Sequence, residues 1–239
     1  MSTIIHAISG PRNISTALMY SFAQRSGCAV FDEPMYGRFL ETHGHNHPGR
    51  REVLEQWPRD LATVAREVEQ RAANHPEVYL KNMAHHIVGE PWEWAQSSAF
   101  VFWIRHPRKV VESFAKVVQE VRLEDIGIRQ QHRQWSEIQQ LGVPKVIVDS
   151  DEMLAAPERT LPVICAALGL PWDSQMLEWP AGPKPYDGPW APHWYHNVHQ
   201  TTGFGAPKPL GPPLAPPLER VVQEALAYYN DLFQLRLQF

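Results

Sequence analysis

Residues 4–22, IIHAISGPRNISTALMYSF, set the narrowest limit on what this chain can fold into. An apolar run ends at a turn holding Gly10, Pro11 and Arg12, and Ser15 and Thr16 then open a second apolar run at helical spacing. Strand, loop and helix in that order suit a phosphate. The first turn of a helix leaves backbone N–H groups without intrahelical partners, and the aligned peptide dipoles add partial positive charge there. Arg12 contributes a forked cation, and Ser15 and Thr16 contribute hydroxyls. The ATP and GTP version of such a loop, G-x-x-x-x-G-K-[ST], sets Lys on the outer phosphates and Ser or Thr on magnesium. In register from Gly10, this chain has Ser15 and Thr16 where that motif has Gly-Lys. An ordinary βα turn, with Ser and Thr as helix-start residues, fits the same letters.

Short β-rich runs alternate with helical patterns over the rest of the chain, which predicts an α/β fold: three layers, a mostly parallel sheet of about five strands, and helices on both faces. Strands are expected at 3–8, 28–31, 77–81, 99–105 and 145–149, and helices at 13–26, 59–73, 107–121, 125–141, 157–168 and 217–236. Residues 41–51 read as a polar loop. Residues 179–217 hold half of the 22 prolines together with Trp179, Trp190, Trp194 and Tyr195, and read as an ordered lid or wrap within one domain spanning 1–239. A formal charge of −4 without a long Lys/Arg block argues against a polynucleotide partner. The start of the chain lacks the marks of a signal peptide, and no apolar stretch approaches a membrane span. With two cysteines, Cys28 and Cys165, a reducing cytoplasmic setting is expected.

A second constellation lies at FVFWIRHPRKVVESF, residues 100–114. Arg105 is expected at the carboxyl end of a strand, the edge where open α/β sheets bind ligands, with Pro107 starting a helix and Ser113 two turns along it. This is a candidate second phosphate site, or else a surface arginine and a tucked-in serine.

The two motifs together resemble the sulfotransferases that use 3'-phosphoadenosine 5'-phosphosulfate (PAPS), in their bacterial type. That family carries P-R-[ST]-G-[ST]-[ST]-x-L for the 5'-phosphate and R-x-P-R with a later serine for the 3'-phosphate. Here the matching residues are Pro11, Arg12, Asn13, Ile14, Ser15, Thr16, Ala17 and Leu18, then Arg105, His106, Pro107 and Arg108 with Ser113. Residues 146–171 look like the family's late strand and proline-started helix. The resemblance implies the P-loop sulfotransferase fold, PAPS as donor, adenosine 3',5'-bisphosphate as product, and residues 11–17, Arg105 and Ser113 as the donor site. No metal is implied. Ile14 departs from the pattern, because the family has glycine there and a β-branched residue does not take positive φ cheaply. The cytosolic branch's late Arg-Lys-Gly segment is also missing from 199–209, where Thr201, Thr202, Gly203 and Lys208 stand unassigned.

Sulfuryl transfer needs alignment, cations and a base for the acceptor. The resemblance gives Arg12 the bridging and 5'-phosphate oxygens, Glu33 of FDEPMY the role of base, Lys81 that of a sulfate-facing cation, and His85 or His86 that of second-choice base. A helix-start acid and a polar loop histidine are the plain readings of Glu33 and His85. His43, His45 and His47, and His193, His196 and His199, raise a rival metal site. A nucleotide kinase or hydrolase, with Asp149 on magnesium, and a catalytically silent nucleotide-binding protein also stay open. The expected partner is a small-molecule acceptor bearing a hydroxyl or amine; a homodimer is left open.

Overall fold

The computed structural model describes residues 2–44, 47–87, 89 and 91–239. Strands β1 (Thr3–Ser9), β2 (Cys28–Asp32), β3 (Glu77–Met83), β4 (Ala99–Ile104) and β5 (Lys145–Asp149) form one sheet in the order β2-β3-β1-β4-β5. Every pairing is parallel. The helices are α1 (Ser15–Phe22), α2 (Tyr36–His43), α3 (Arg50–Gln56), α4 (Leu61–Asn74), α5 (Pro107–Phe114), α6 (Ile128–Ile138), α7 (Ser150–Ala155), α8 (Pro157–Ala167), α9 (Ala191–Trp194), α10 (His196–His199) and α11 (Pro216–Gln234).

Successive strand side chains point to opposite faces, and both faces are covered. Ile5, Ala7, Val101 and Trp103 pack with residues of α1 and α8 on one side, whereas Ile8, Leu80, Phe102 and Ile104 pack with residues of α4, α5, α6 and α11 on the other. His6 is fully buried in the middle of β1, stacked on Phe100 and without a hydrogen-bond partner at either ring nitrogen. Burial pushes its pKa down to about 3, so it stays neutral. Caps set the helix starts: Asp60 accepts from the Thr63 N–H, His106 from the Arg108 N–H ahead of Pro107, and Asp149 from the Asp151 and Glu152 N–H groups.

Five sequence expectations need correction at their ends, beginning with helix 13–26, which shortens to α1. The 41–51 stretch contains the end of α2 and the start of α3, which its glycines and histidines concealed. Helix 107–121 stops at Phe114; Val121 still reaches the core, but Val117 is left in solvent. Helix 125–141 shortens to α6, because Gly127 with φ 74° separates it from a 3-10 turn at Leu123–Ile126. Arg105 lies one residue beyond β4. No helix among the described residues is long and apolar enough to cross a membrane.

The 179–217 segment packs against the body of the domain. Trp179, Trp190 and Tyr195 are buried, and the Trp179 N–H donates to the Thr202 carbonyl. Asp187 accepts hydrogen bonds from the Tyr20 hydroxyl at 2.7 Å and the Lys184 backbone N–H at 2.8 Å, and pairs with His199 at 3.0 Å.

Candidate functional site

The order of the sheet makes β1 its centre, so the loops that leave β1, β3 and β4 open on one carboxyl edge. The loop after β1 turns tightly. A Cβ on Gly10 would come within 2.2 Å of the Ile126 carbonyl oxygen, so no other residue fits. Arg12 and Ile14 both take left-handed backbone conformations, φ 59° and 51°. Ile14 thus takes positive φ without the glycine that makes it cheap, a strain of the kind that clusters at functional sites.

Asn13 lies between them, buried, and fixes the loop from below. Its amide donates to the Trp103 carbonyl, and its side-chain oxygen accepts from Ser150. Gln131 binds the same Trp103 carbonyl at 2.9 Å and the Ile8 carbonyl at 3.1 Å, tying β1 to β4 beneath the loop. The helix that follows has no side-chain cap, and its first backbone bond is the Leu18 N–H to the Ile14 carbonyl. The N–H groups ahead of Leu18, at Ser15, Thr16 and Ala17, are the donors an anion would take.

The second motif meets this loop directly. Arg12 Nε donates to Ser113 Oγ at 2.9 Å, and Arg105 Nη1 donates to the Arg12 carbonyl at 3.0 Å. Burial first, and then the Arg105 charge, push the Arg12 guanidinium below its ordinary pKa. Two cations held together this way gain from an anion placed between them. Asp151 offsets part of the charge: it pairs with Arg105 at 3.1 Å and with Lys109 at 2.9 Å. The sequence reading did not single out Asp151, Lys109 or the anchoring of Asn13, because each acts across distant segments.

At the other end of the edge, Glu33 follows β2 with φ 43° and is 8% exposed. Lys81 in β3 donates to Glu33 Oε1, to Asp32 Oδ1 at 2.9 Å and to the Tyr195 hydroxyl at 2.8 Å, which accounts for its three protons. Tyr195 in turn donates to Asp32 and accepts from Trp190 Nε1, and the Gly188 N–H reaches Asp32 Oδ2 at 3.0 Å. One ammonium thus serves two buried carboxylates. Burial raises Glu33 to about 7 against the pull of Lys81, and Asp32 adds to the rise. Burial alone would lower Lys81, but Asp32 and Glu33 raise it above its ordinary value, so it is a cation. Asp32 and Tyr195 were missed by sequence because nothing near Asp32 announces a tyrosine more than 160 residues away.

His86 Nδ1 faces Glu33 Oε2 at 3.6 Å, while His85 packs edge-on against both His86 and Phe39. Thr201 binds the Trp179 indole and Thr202 the Trp179 backbone, so both serve the 179–217 segment. Asp149 is taken up by the start of α7 and the Tyr229 hydroxyl at 2.9 Å, which accounts for the carboxylate considered for magnesium. His199 pairs with Asp187 and His196 with Gln200; His45 lies outside the described residues. No group of three or more potential metal ligands occurs among the described residues.

Three solved structures share this architecture. They are the sulfotransferase domain of the curacin biosynthetic pathway (TM-score 0.52, 15% identity, 95% of this chain and 98% of that one), the sulfotransferase domain of the Synechococcus PCC 7002 olefin synthase (0.58, 16%, 96% of each), and a sulfotransferase from Alicyclobacillus acidocaldarius (0.57, 10%, 99% and 98%). At those identities they speak for the fold. In sequence the chain is 38% and 35% identical, over 232 residues, to branched-chain-amino-acid aminotransferase-like proteins 1 and 2 of Arabidopsis thaliana, covering 96% of this chain and 41% of each relative. It therefore spans about two fifths of the length of those relatives. The sulfotransferase domain model matches residues 3–235, nearly the whole of the chain and both halves of the edge just described. On that match the chain belongs to the sulfotransferase family, whose chemistry is the transfer of a sulfuryl group.

Proposed function

We propose that this chain moves the sulfuryl group of PAPS to a hydroxyl or amine of a small acceptor. One observation carries the reading: the loop motif and the strand-end motif, 101 residues apart in sequence, touch through Arg12 and Ser113. Two anion sites side by side suit one nucleotide with two separate phosphates. Residues 11–17 would hold the 5'-phosphosulfate, with Arg12 on its oxygens, and Arg105 and Ser113 would hold the 3'-phosphate. The uncapped start of α1 and the mutual repulsion of Arg12 and Arg105 support that fit. The donor supplies an activated S–O bond and leaves as adenosine 3',5'-bisphosphate.

The protein's own residues do the rest. Glu33 takes the acceptor proton as the acceptor oxygen or nitrogen bonds to sulfur, so proton and sulfuryl group exchange places on the acceptor. Lys81, with all its protons committed, opposes the rise in the Glu33 pKa rather than facing the sulfate. His85 remains the second choice of base. Arg12 and Arg105 neutralise charge gathering on the leaving phosphate. The 179–217 segment acts as a lid within a single domain: it closes over Asp32, and acceptor entry requires it to move. A cytoplasmic setting suits the donor, and the relatives' name puts amino acids and small amines in the acceptor screen alongside alcohols, phenols and sugars.

Calorimetry tests the donor. Adenosine 3',5'-bisphosphate is expected to bind without magnesium, and more tightly than adenosine 5'-monophosphate. Binding of ATP only in the presence of magnesium, with none of the bisphosphate, would replace this reading with that of a kinase or hydrolase.

A further inference from the structure

From the 3-10 turn after β3, His86 faces Glu33. Its Nδ1 is buried, lies 3.6 Å from Glu33 Oε2, and has no hydrogen-bond partner. That separation is beyond a hydrogen bond, but a shift of about 0.5 Å closes it, and contacts of this kind commonly tighten only when substrate is bound. The other oxygen of Glu33 is held by Lys81, and its backbone is fixed at φ 43°, so Oε2 is the atom left to work. The imidazole has little freedom to look elsewhere. It rests parallel on Tyr36 at 4.5 Å between ring centres and, inclined by 28°, on Phe39 at 4.6 Å.

We infer that His86 is a positioning residue for Glu33: its Nδ1–H donates to Oε2 and holds the carboxylate toward the acceptor. The inference rests on Glu33 being the base. A neutral imidazole carries one proton, on either nitrogen. Only the Nδ1–H form satisfies both buried atoms, since the other form turns a lone pair toward a carboxylate. The surroundings keep the ring neutral. Burial, then His85, His47, Lys81 and His43, hold His86 well below its ordinary pKa. Glu33 is faced by its neighbour Asp32 at the end of β2, Lys81 from β3 and Tyr36 from α2, besides His86.

Nuclear magnetic resonance tests this without an identified acceptor. In wild-type protein labelled with 15N-histidine, His86 is expected as the Nδ1–H tautomer at pH 7.5; the Nε2–H tautomer overturns the inference. With glutamate carboxyls labelled in 13C, and Glu33 assigned by the signal lost in E33Q, the Glu33 titration midpoint is expected to rise by about one pH unit in H86F. Phenylalanine keeps the ring stack and removes the donor, whereas H86N returns an N–H near the Nδ1 position and should restore the midpoint. An unmoved midpoint in H86F overturns the inference, and if H86F does not fold, the wild-type tautomer decides. Full sulfate transfer by E33Q would remove Glu33 as base, an outcome separate from either spectrum.

Discussion

The two ends of the ligand edge are built on opposite plans. Around β1 and β4, Arg12, Arg105 and Lys109 outnumber Asp151, the loop is strained at Arg12 and Ile14, and the start of α1 has no cap. Around β2 and β3, Asp32 and Glu33 share Lys81, and residues 188–195 close over Asp32. The first end has excess positive charge that an outside anion can complete. The second is closed on itself and holds a carboxyl poised to gain or lose a proton near neutral pH. On the proposed function, anion binding and proton transfer are separated along one edge, and mutations at the two ends should fail in different ways.

The largest effect is expected at the acid end. Glu33→Gln keeps the shape and removes the proposed base, so turnover should fall by about 100-fold or more while nucleotide affinity stays within about twofold. Only the ionised carboxyl accepts a proton, and burial raises it to about 7, so wild-type turnover should climb with pH through about 7. The variant should lose that limb. A pH–rate series with radiolabelled donor reads both, and unchanged turnover puts the base elsewhere. At the cationic end, Arg105→Ala should weaken adenosine 3',5'-bisphosphate by about 10- to 100-fold, the worth of a charge-assisted hydrogen bond. Adenosine 5'-monophosphate should be nearly unaffected. Equal losses for the two nucleotides in calorimetry would separate Arg105 from the 3'-phosphate and erase the contrast.

The contrast also divides what could be read from sequence. The five strands were legible because each is a short apolar run between turn residues, and the cationic end was legible because its groups lie within two short motifs. The acid end was half legible. Glu33 and Lys81 were picked out by the family resemblance, but the buried cluster also needs Tyr195, Trp190 and Gly188 from a proline-rich stretch without periodicity. Helices α2, α3, α7, α9 and α10 were missed because they are short: α9 and α10 are a single turn long, α3 and α7 are little longer, and α2 carries Gly37 and a histidine at its end.

Tyr195→Phe probes that long-range assembly. The hydroxyl accepts from Lys81 and Trp190 and donates to Asp32, so its removal leaves buried groups unpaired. Urea unfolding should show a loss of about 1–3 kcal/mol. Nucleotide affinity should hold, since none of the bonds lost lies at the cationic end. A stable variant would mean that residues 188–195 are not fastened through this hydroxyl.

The smallest effect tests the strained loop. At Ile14, glycine removes the left-handed penalty but gives up side-chain packing and adds freedom to the unfolded chain, so Ile14→Gly by itself mixes opposing terms. Comparing Ile14→Gly with Ile14→Ala cancels the packing loss. In a helix interior alanine is the more stable of the two by roughly 0.5–1 kcal/mol. At φ 51° the order should reverse, with the glycine variant ahead by about 1 kcal/mol in urea, because alanine retains the Cβ that opposes the left-handed turn. Should alanine equal or exceed glycine, residue 14 does not hold that conformation in solution, and the turn that aims the N–H groups of α1 at a phosphate is not the one described.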